Sequence, residues 1–286
     1  MILEVMMSSK LSPVRGQVAL VTGAASGLGR AFSELLVENG AQVHLVDVQE
    51  GPLADLVEQL RRTGAAWAHK VDVTDRDEML ELADQVFGQH GRLDILVNNA
   101  GVFRGGPFLQ IPREDWERVF AVNFWGLFNG IEAFLPRMLE QDGGGRIVNM
   151  ASAAGLIGIP YVGPYGASKF AVVGLSEGLA AELSGGPVSL TTACPGAVRT
   201  PLLKNSLSGL PGDWGDKLSD LLSRKGADPR HVASTILSAA LDGKRFVVPA
   251  AGGLLPMWLT RRLSLPLYGK VTDLLAWLGR DRSQDG

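Results

Sequence analysis

A doubly wound α/β fold, in which a seven-stranded parallel sheet lies between two helical layers, is predicted by two observations. From Gln17 to Pro249, segments of helical period alternate with strand-like segments. Every strand-like segment is short, apolar and β-branched, as strands covered on both faces are. A chain of 286 residues could form one large domain or two small ones, but no linker, charge block or internal repeat breaks the alternation. One domain is therefore expected over residues 16–250, in a three-layer α/β/α arrangement.

The elements follow in order. QVALVT is the first strand, a glycine-rich turn follows, and GRAFSELLVENG is a helix ending at Gly40. AQVHLVD is the second strand, GPLADLVEQLRRTG the second helix and WAHKVDV the third strand. DRDEMLELADQVFGQHG reads as a helix, RLDILVNNAG as a strand, residues 113–141 as one long helix and GRIVNMAS as the fifth strand. A helix containing Tyr165, the strand PVSLTTACPG, a mixed segment to Gly226, the helix DPRHVASTILSAAL and the strand KRFVVPA complete the set.

Composition narrows the function classes. The chain has 27 basic and 30 acidic residues, a net charge of −3, and no run of Lys or Arg that could form a nucleic-acid-binding stripe. Cys194 is the single cysteine, so no intrachain disulfide forms, and the four histidines show no metal-ligand spacing. No metal is expected, and a reducing, cytoplasmic setting fits. Residues 1–15 lack a signal-peptide pattern and read as a flexible lead-in.

Three features point to chemistry. Tyr165 and Lys169 are four residues apart in a helical run, so both project from one face, where an ammonium would make a phenol more acidic. Alone, the pair is better read as an exposed aromatic and a solvated charge. The turn from Thr22 to Gly29 opens a strand–turn–helix unit, where Gly23, Ser26, Gly27, Leu28 and Gly29 could seat a pyrophosphate at a helix N-terminus, or simply form a structural turn. Asp47 closes the second strand, where a carboxylate either binds an adenosine ribose or caps the next turn. A carboxylate there repels a 2′-phosphate, and Ser26, Val48 and Gln49 offer no positive charge, so NAD is favoured over NADP.

With these motifs assembled, the chain resembles the short-chain dehydrogenase/reductase family over roughly Gly16 to Ala250. TGxxxGxG stands at Thr22–Gly29, an Asp-Val pair at Asp72 and Val73, NNAG at Asn98–Gly101, YxxxK at Tyr165 and Lys169, and PGxVxT at Pro195, Gly196, Val198 and Thr200. The resemblance implies a Rossmann-like fold and hydride transfer between NAD(H) and an alcohol or ketone. It implies Tyr165 as general acid/base, Lys169 as pKa tuner and ribose ligand, Ser152 as donor to the substrate oxygen, and Asn123 as holder of a proton-relay water. It further places Asp72 and Val73 at the adenine, Asn99, Ala100 and Gly101 beside the adenosine ribose, and Val198 and Thr200 at the carboxamide. Oligomers, dimers or tetramers, are implied through the helices near 113–140 and 164–184.

Two stretches depart from the plain pattern. Residues 200–227 occupy the place of a mobile substrate loop, with Leu202, Leu203, Leu207, Leu210 and Trp214 as lid candidates. The apolar tail, residues 251–286, is broken by Pro256, Pro266 and several charges, so it is too interrupted to cross a membrane. Packing over a substrate cleft is preferred to a core or dimer contact, and to peripheral membrane binding. An apolar lid favours a lipophilic secondary alcohol: steroid-like, aryl or long-chain. An NADP-dependent carbonyl or acyl-thioester reductase is the alternative within the enzymes, and a catalytically silent nucleotide sensor or scaffold is the alternative outside them.

Overall fold

The computed structural model describes residues 14–203, 226–249 and 254–278, with residues 210, 215, 220 and 224 between the first two stretches. Seven parallel strands form one sheet in the order β3-β2-β1-β4-β5-β6-β7. They are β1 (Val18–Thr22), β2 (Gln42–Asp47), β3 (Ala65–Lys70), β4 (Ile95–Asn98), β5 (Gly145–Met150), β6 (Val188–Ala193) and β7 (Phe246–Val247). The order reverses between β1 and β4, which pair through Val21 and Val97. In a sheet of this kind a crevice opens outside the carboxyl ends at that reversal.

Most strands are largely apolar because both faces are covered, whereas the edge strand β3, AAWAHK, is partly exposed. Ala19 and Val21 point into one cluster with Phe32, Leu36 and Leu56, whereas Val18 and Leu20 point into another with Met79, Leu82 and Phe134. Helices α1 (Gly27–Glu38) and α2 (Glu50–Arg61) cover the first face, and α3 (Arg76–His90) covers the second. Asp75 starts α3 by accepting from the Asp77 and Glu78 N–H groups, and Asp228 starts the Pro229–Leu241 helix in the same way.

The seventh strand, expected over KRFVVPA, shortens to Phe246–Val247, and two further differences bear on the site. The third strand begins at Ala65 and ends at Lys70, before Asp72, because Asp72 Oδ1 accepts from the Thr74 N–H and hydroxyl and turns the chain toward α3. The long helix is also not continuous in type. A π-helical turn, Ala121–Gly126, separates α4 (Arg113–Phe120) from α5 (Leu127–Glu140). Helix α6 (Gly163–Glu182) then carries Tyr165 and Lys169.

Three of the four histidines, far apart in sequence, meet on the sheet. His44 Nδ1 lies 2.8 Å from His69 Nε2, His44 Nε2 lies 2.9 Å from His90 Nε2, and Trp67 stacks on His44 at 4.9 Å. Both nitrogens of His44 are thus engaged by other rings, an arrangement that leaves no open nitrogen on His44 for a metal ion. Burial, with the two neighbouring imidazoles adding to it, holds His44 down to about pKa 3. The folded-state value lies below that of the unfolded chain, so this stability is present above pH 6.5 and is lost as the pH falls toward 3. Linkage predicts a loss of about 2 kcal/mol between pH 7 and pH 5. Melting scans should show Tm lower by roughly 3 °C at pH 5, and His44→Gln should flatten that slope.

Candidate active site

The crevice between β1 and β4 is closed by one set of bonds. Thr22 Oγ1 accepts from the Asn99 and Ala100 N–H groups at 2.9 and 3.0 Å, and Asn99 Nδ2 donates to Thr22 O at 2.9 Å. The glycines of the turn divide their tasks. A β-carbon on Gly29 would lie 2.0 Å from Gly23 O, and one on Gly23, whose φ is +62°, would lie 2.8 Å from Ala100 Cα. Both therefore serve close internal packing. Gly27, with φ +55°, faces Thr200, whose Cβ and Cγ2 would stand 3.2 Å from an added β-carbon. Residues 173 positions apart in the chain meet across the crevice in this way.

The residues present fit a dinucleotide. Ser26 is extended at the N-cap of α1, yet its side chain makes no capping bond, unlike Asp75 and Asp228. The first N–H groups of α1 are thus left for an anion, favoured by the helix dipole. Leu28 packs on the core below. Asp47, buried at the end of β2, accepts from the Ala25 N–H at 3.0 Å and the Gln49 N–H at 2.9 Å, while Val48 beside it is exposed. Asp72 is exposed, whereas the Val73 side chain is buried under Gly126 and its carbonyl accepts from Asn129. Pro195 accepts from the Ala153 N–H, Gly196 donates to Pro249 O, and Val198 bridges Ala227.

The four candidate catalytic residues converge at the end of β5. Tyr165 makes a side-chain hydrogen bond with Ser152, whose Oγ also accepts from the Ala154 N–H at 3.1 Å. Lys169 is 4% exposed; its Nζ donates to Met150 O at 2.8 Å and stands 5.8 Å from the Tyr165 ring centroid. A β-carbon on Gly101 would lie 3.7 Å from that Nζ. Asn123 sits in the π turn, accepting from the Val102 N–H at 2.8 Å and donating to Val102 O and Ser168 Oγ at 3.0 Å each. Both of its amide hydrogens are engaged, so its side chain fixes the loop that follows β4 at Val102.

The electrostatics differ from the expectation of an acidified phenol. Burial pushes Tyr165 up, with the Ser152 bond opposing it and Cys194 adding a smaller rise. Burial also brings Lys169 down to about 8. The ammonium is directed at Met150 O. Cys194, beneath Ser152, is pushed up to about 12 by burial and stays a neutral thiol.

Sequence reasoning missed Phe103, whose ring lies 5.0 Å from Tyr165, and Gly105, where a β-carbon would meet Tyr161 O at 2.9 Å and Leu210 Cδ2 at 3.0 Å. Their place directly after NNAG was the available signal. Between Ser152 and Tyr165, Leu156 and Ile157 turn inward, and Ile159 and Tyr161 stay half-buried. Among the lid candidates Leu210 is buried and Leu202 exposed, while Leu207, Trp214 and the side chain of Leu203 lie outside the described residues.

The sequence model of the family described as short chain dehydrogenase matches residues 17–210. The 3-oxoacyl-acyl-carrier-protein reductase FabG of Thermotoga maritima is 35% identical over 243 residues, 84% of this chain and 97% of that protein. The D-threitol dehydrogenase of Mycolicibacterium smegmatis is 39% identical over 235 residues, 81% of this chain and 88% of that protein. A crystal structure of a short chain dehydrogenase/reductase from Burkholderia phymatum in complex with NAD superposes with a TM-score of 0.81 at 33% identity, covering 90% of this chain and 96% of that one.

The crowding at Gly29 is testable. Gly29→Ala places a methyl group against a backbone carbonyl and should destabilise the fold by about 3 kcal/mol in urea unfolding. Gly88→Ala, in α3 with nothing within 4 Å of the added carbon, should instead stabilise it by about 0.5–1 kcal/mol.

Proposed function

Because the chain belongs to the short-chain dehydrogenase/reductase family, we propose that it transfers a hydride between NAD(H) and a secondary alcohol or the corresponding ketone. The observation that carries this proposal is the gathering of Ser152, Tyr165 and Lys169 at the end of β5, beside Gly101 and the uncapped start of α1. NAD, when bound, supplies the hydride acceptor and, oxidised, a positive charge. Tyr165 Oη takes the proton from the alcohol or returns it to the ketone. Ser152 donates a hydrogen bond to the same substrate oxygen, where charge develops. Lys169 holds its proton close behind the phenol. Asn123, as the family resemblance implies, holds a relay water that joins Lys169 to solvent.

NAD is preferred to NADP because Asp47 is a carboxylate at the ribose end of β2, flanked by exposed, uncharged Val48. Phe103 on Tyr165, with Leu210 and Tyr161 nearby, supports an apolar cleft and a lipophilic substrate. Similarity to a 3-oxoacyl thioester reductase favours, as a second possibility, a ketoreductase of acyl thioesters; comparing NADH with NADPH binding by fluorescence separates the two. A silent nucleotide-binding scaffold is distinguished by turnover itself. A homo-oligomer is also proposed, with α5, α6 and the exposed Trp125 as contacts, in a cytoplasmic setting.

Tyr165→Phe should lower kcat for NAD-dependent alcohol oxidation about 10³-fold with Tm unchanged. A rate near wild type would overturn the assignment. Because burial raises the Tyr165 phenol, wild-type alcohol oxidation should accelerate as the pH rises into the alkaline range, and ketone reduction should not.

A further inference from the structure

The family match ends at residue 210, yet the helices Leu254–Leu263 and Leu265–Leu278 reach the wall of the candidate cleft. Arg261 Nη1 donates to Leu156 O at 2.6 Å, and its guanidinium stands 4.8 Å from the ring centroid of Phe170, the residue after Lys169. Tyr268 Oη accepts from the Gly158 N–H at 2.5 Å and donates to Gly158 O at 3.3 Å. Trp258 packs on the cluster formed by Leu156, Val172, Val173 and Cys194.

The segment held in this way joins Ser152 to Tyr165. From the other side, the Gly106 N–H donates to Tyr161 O at 2.7 Å, and the bare Cα of Gly105 lets Tyr161 O and Leu210 close in. Tyr161 itself has φ +65°, a left-handed conformation that a non-glycine residue keeps only where its surroundings over-determine it. Contacts on both sides of the segment do so here: Gly105, Gly106 and Leu210 on one, and Arg261 and Tyr268, at Leu156 and Gly158, on the other. Ile159 and Tyr161, both half-buried, lie within the segment that this clamp holds.

We propose that the C-terminal helices brace the substrate wall, with Arg261 and Tyr268 as positioning residues that hold Leu156–Tyr161 in place and thereby set how much apolar bulk the cleft accepts. This deepens, and rests on, the hydride-transfer function proposed above. The brace acts on substrate binding rather than on the dinucleotide, because its contacts fall on Leu156, Gly158 and Phe170.

Arg261→Ala and Tyr268→Phe in the full chain test it, with 1-phenylethanol and 2-propanol as substrates. KM for 1-phenylethanol should rise about tenfold in Arg261→Ala and about threefold in Tyr268→Phe. The rise for 2-propanol should be smaller, with kcat, NADH affinity and Tm unchanged. Amide hydrogen exchange across 156–161 should quicken in both variants. Unchanged KM beside faster exchange would make the tail a passive cover and overturn the proposal, as would a joint loss of kcat, NADH affinity and Tm. If the wild type oxidises no secondary alcohol, the hydride-transfer function fails on its own; the brace is then upheld by faster exchange at Gly158 and overturned by its absence.

Discussion

The bonds between Thr22 and Asn99 are the contact on which the rest of this molecule depends. One hydroxyl accepts two backbone N–H groups from the end of β4, and one side-chain amide returns a bond to the end of β1. Strands that separate at the reversal point of the sheet are thereby tied together just beyond their last pairing. With that tie in place Gly23 lies against Ala100, Gly29 lies against Gly23, and Gly101 passes Lys169. Buried polar groups joined in this way are costly to leave half-made, about 1–3 kcal/mol for each orphaned partner. Fold and candidate site share one set of bonds.

Behind the site, burial favours neutral groups. It raises the phenol of Tyr165 and the thiol of Cys194 and lowers the amine of Lys169, in each case toward the uncharged form. Lys169 alone has its shifted value, about 8, within reach of neutral pH. A pocket of this kind has little fixed charge of its own, so its proton balance responds strongly to a charged molecule brought beside it. Cys194, which in the sequence indicated only redox setting, therefore belongs to the electrostatic background of Ser152 and Tyr165.

Much of this was legible in the sequence because it is written in local pattern. Seven β-branched runs became seven strands, and glycines at fixed spacing became the turn after β1. What escaped depends on contacts between distant segments. The π turn is stabilised by Asn123 reaching Val102 and Ser168, and no periodicity in residues 113–141 encodes those partners. His44, His69 and His90 looked scattered because strand pairing and helix packing, not spacing, bring them together. Val73 reads as the end of a strand, yet tertiary packing under Gly126 places it in a turn. The tail's leucines were taken as a surface in need of cover. Trp258 is partly covered, but Leu259, Leu263, Leu265, Leu267 and Leu274 remain exposed, and the polar Arg261 and Tyr268 make the specific contacts.

The open cap at Ser26 carries a consequence beyond binding. Two other helices of this chain, α3 and Pro229–Leu241, begin on a carboxylate of their own, whereas α1, which covers the central strands, begins without a side-chain cap. An anion bound there would complete a bond that the side chains leave unmade, so the ligand would also act as a helix cap. A nucleotide present at a hundred times its dissociation constant adds about 2.7 kcal/mol to the folded state. For a protein of marginal stability that increment shifts how much of it escapes degradation. The abundance of this protein in a cell, and not only its rate of turnover, would then follow the supply of dinucleotide.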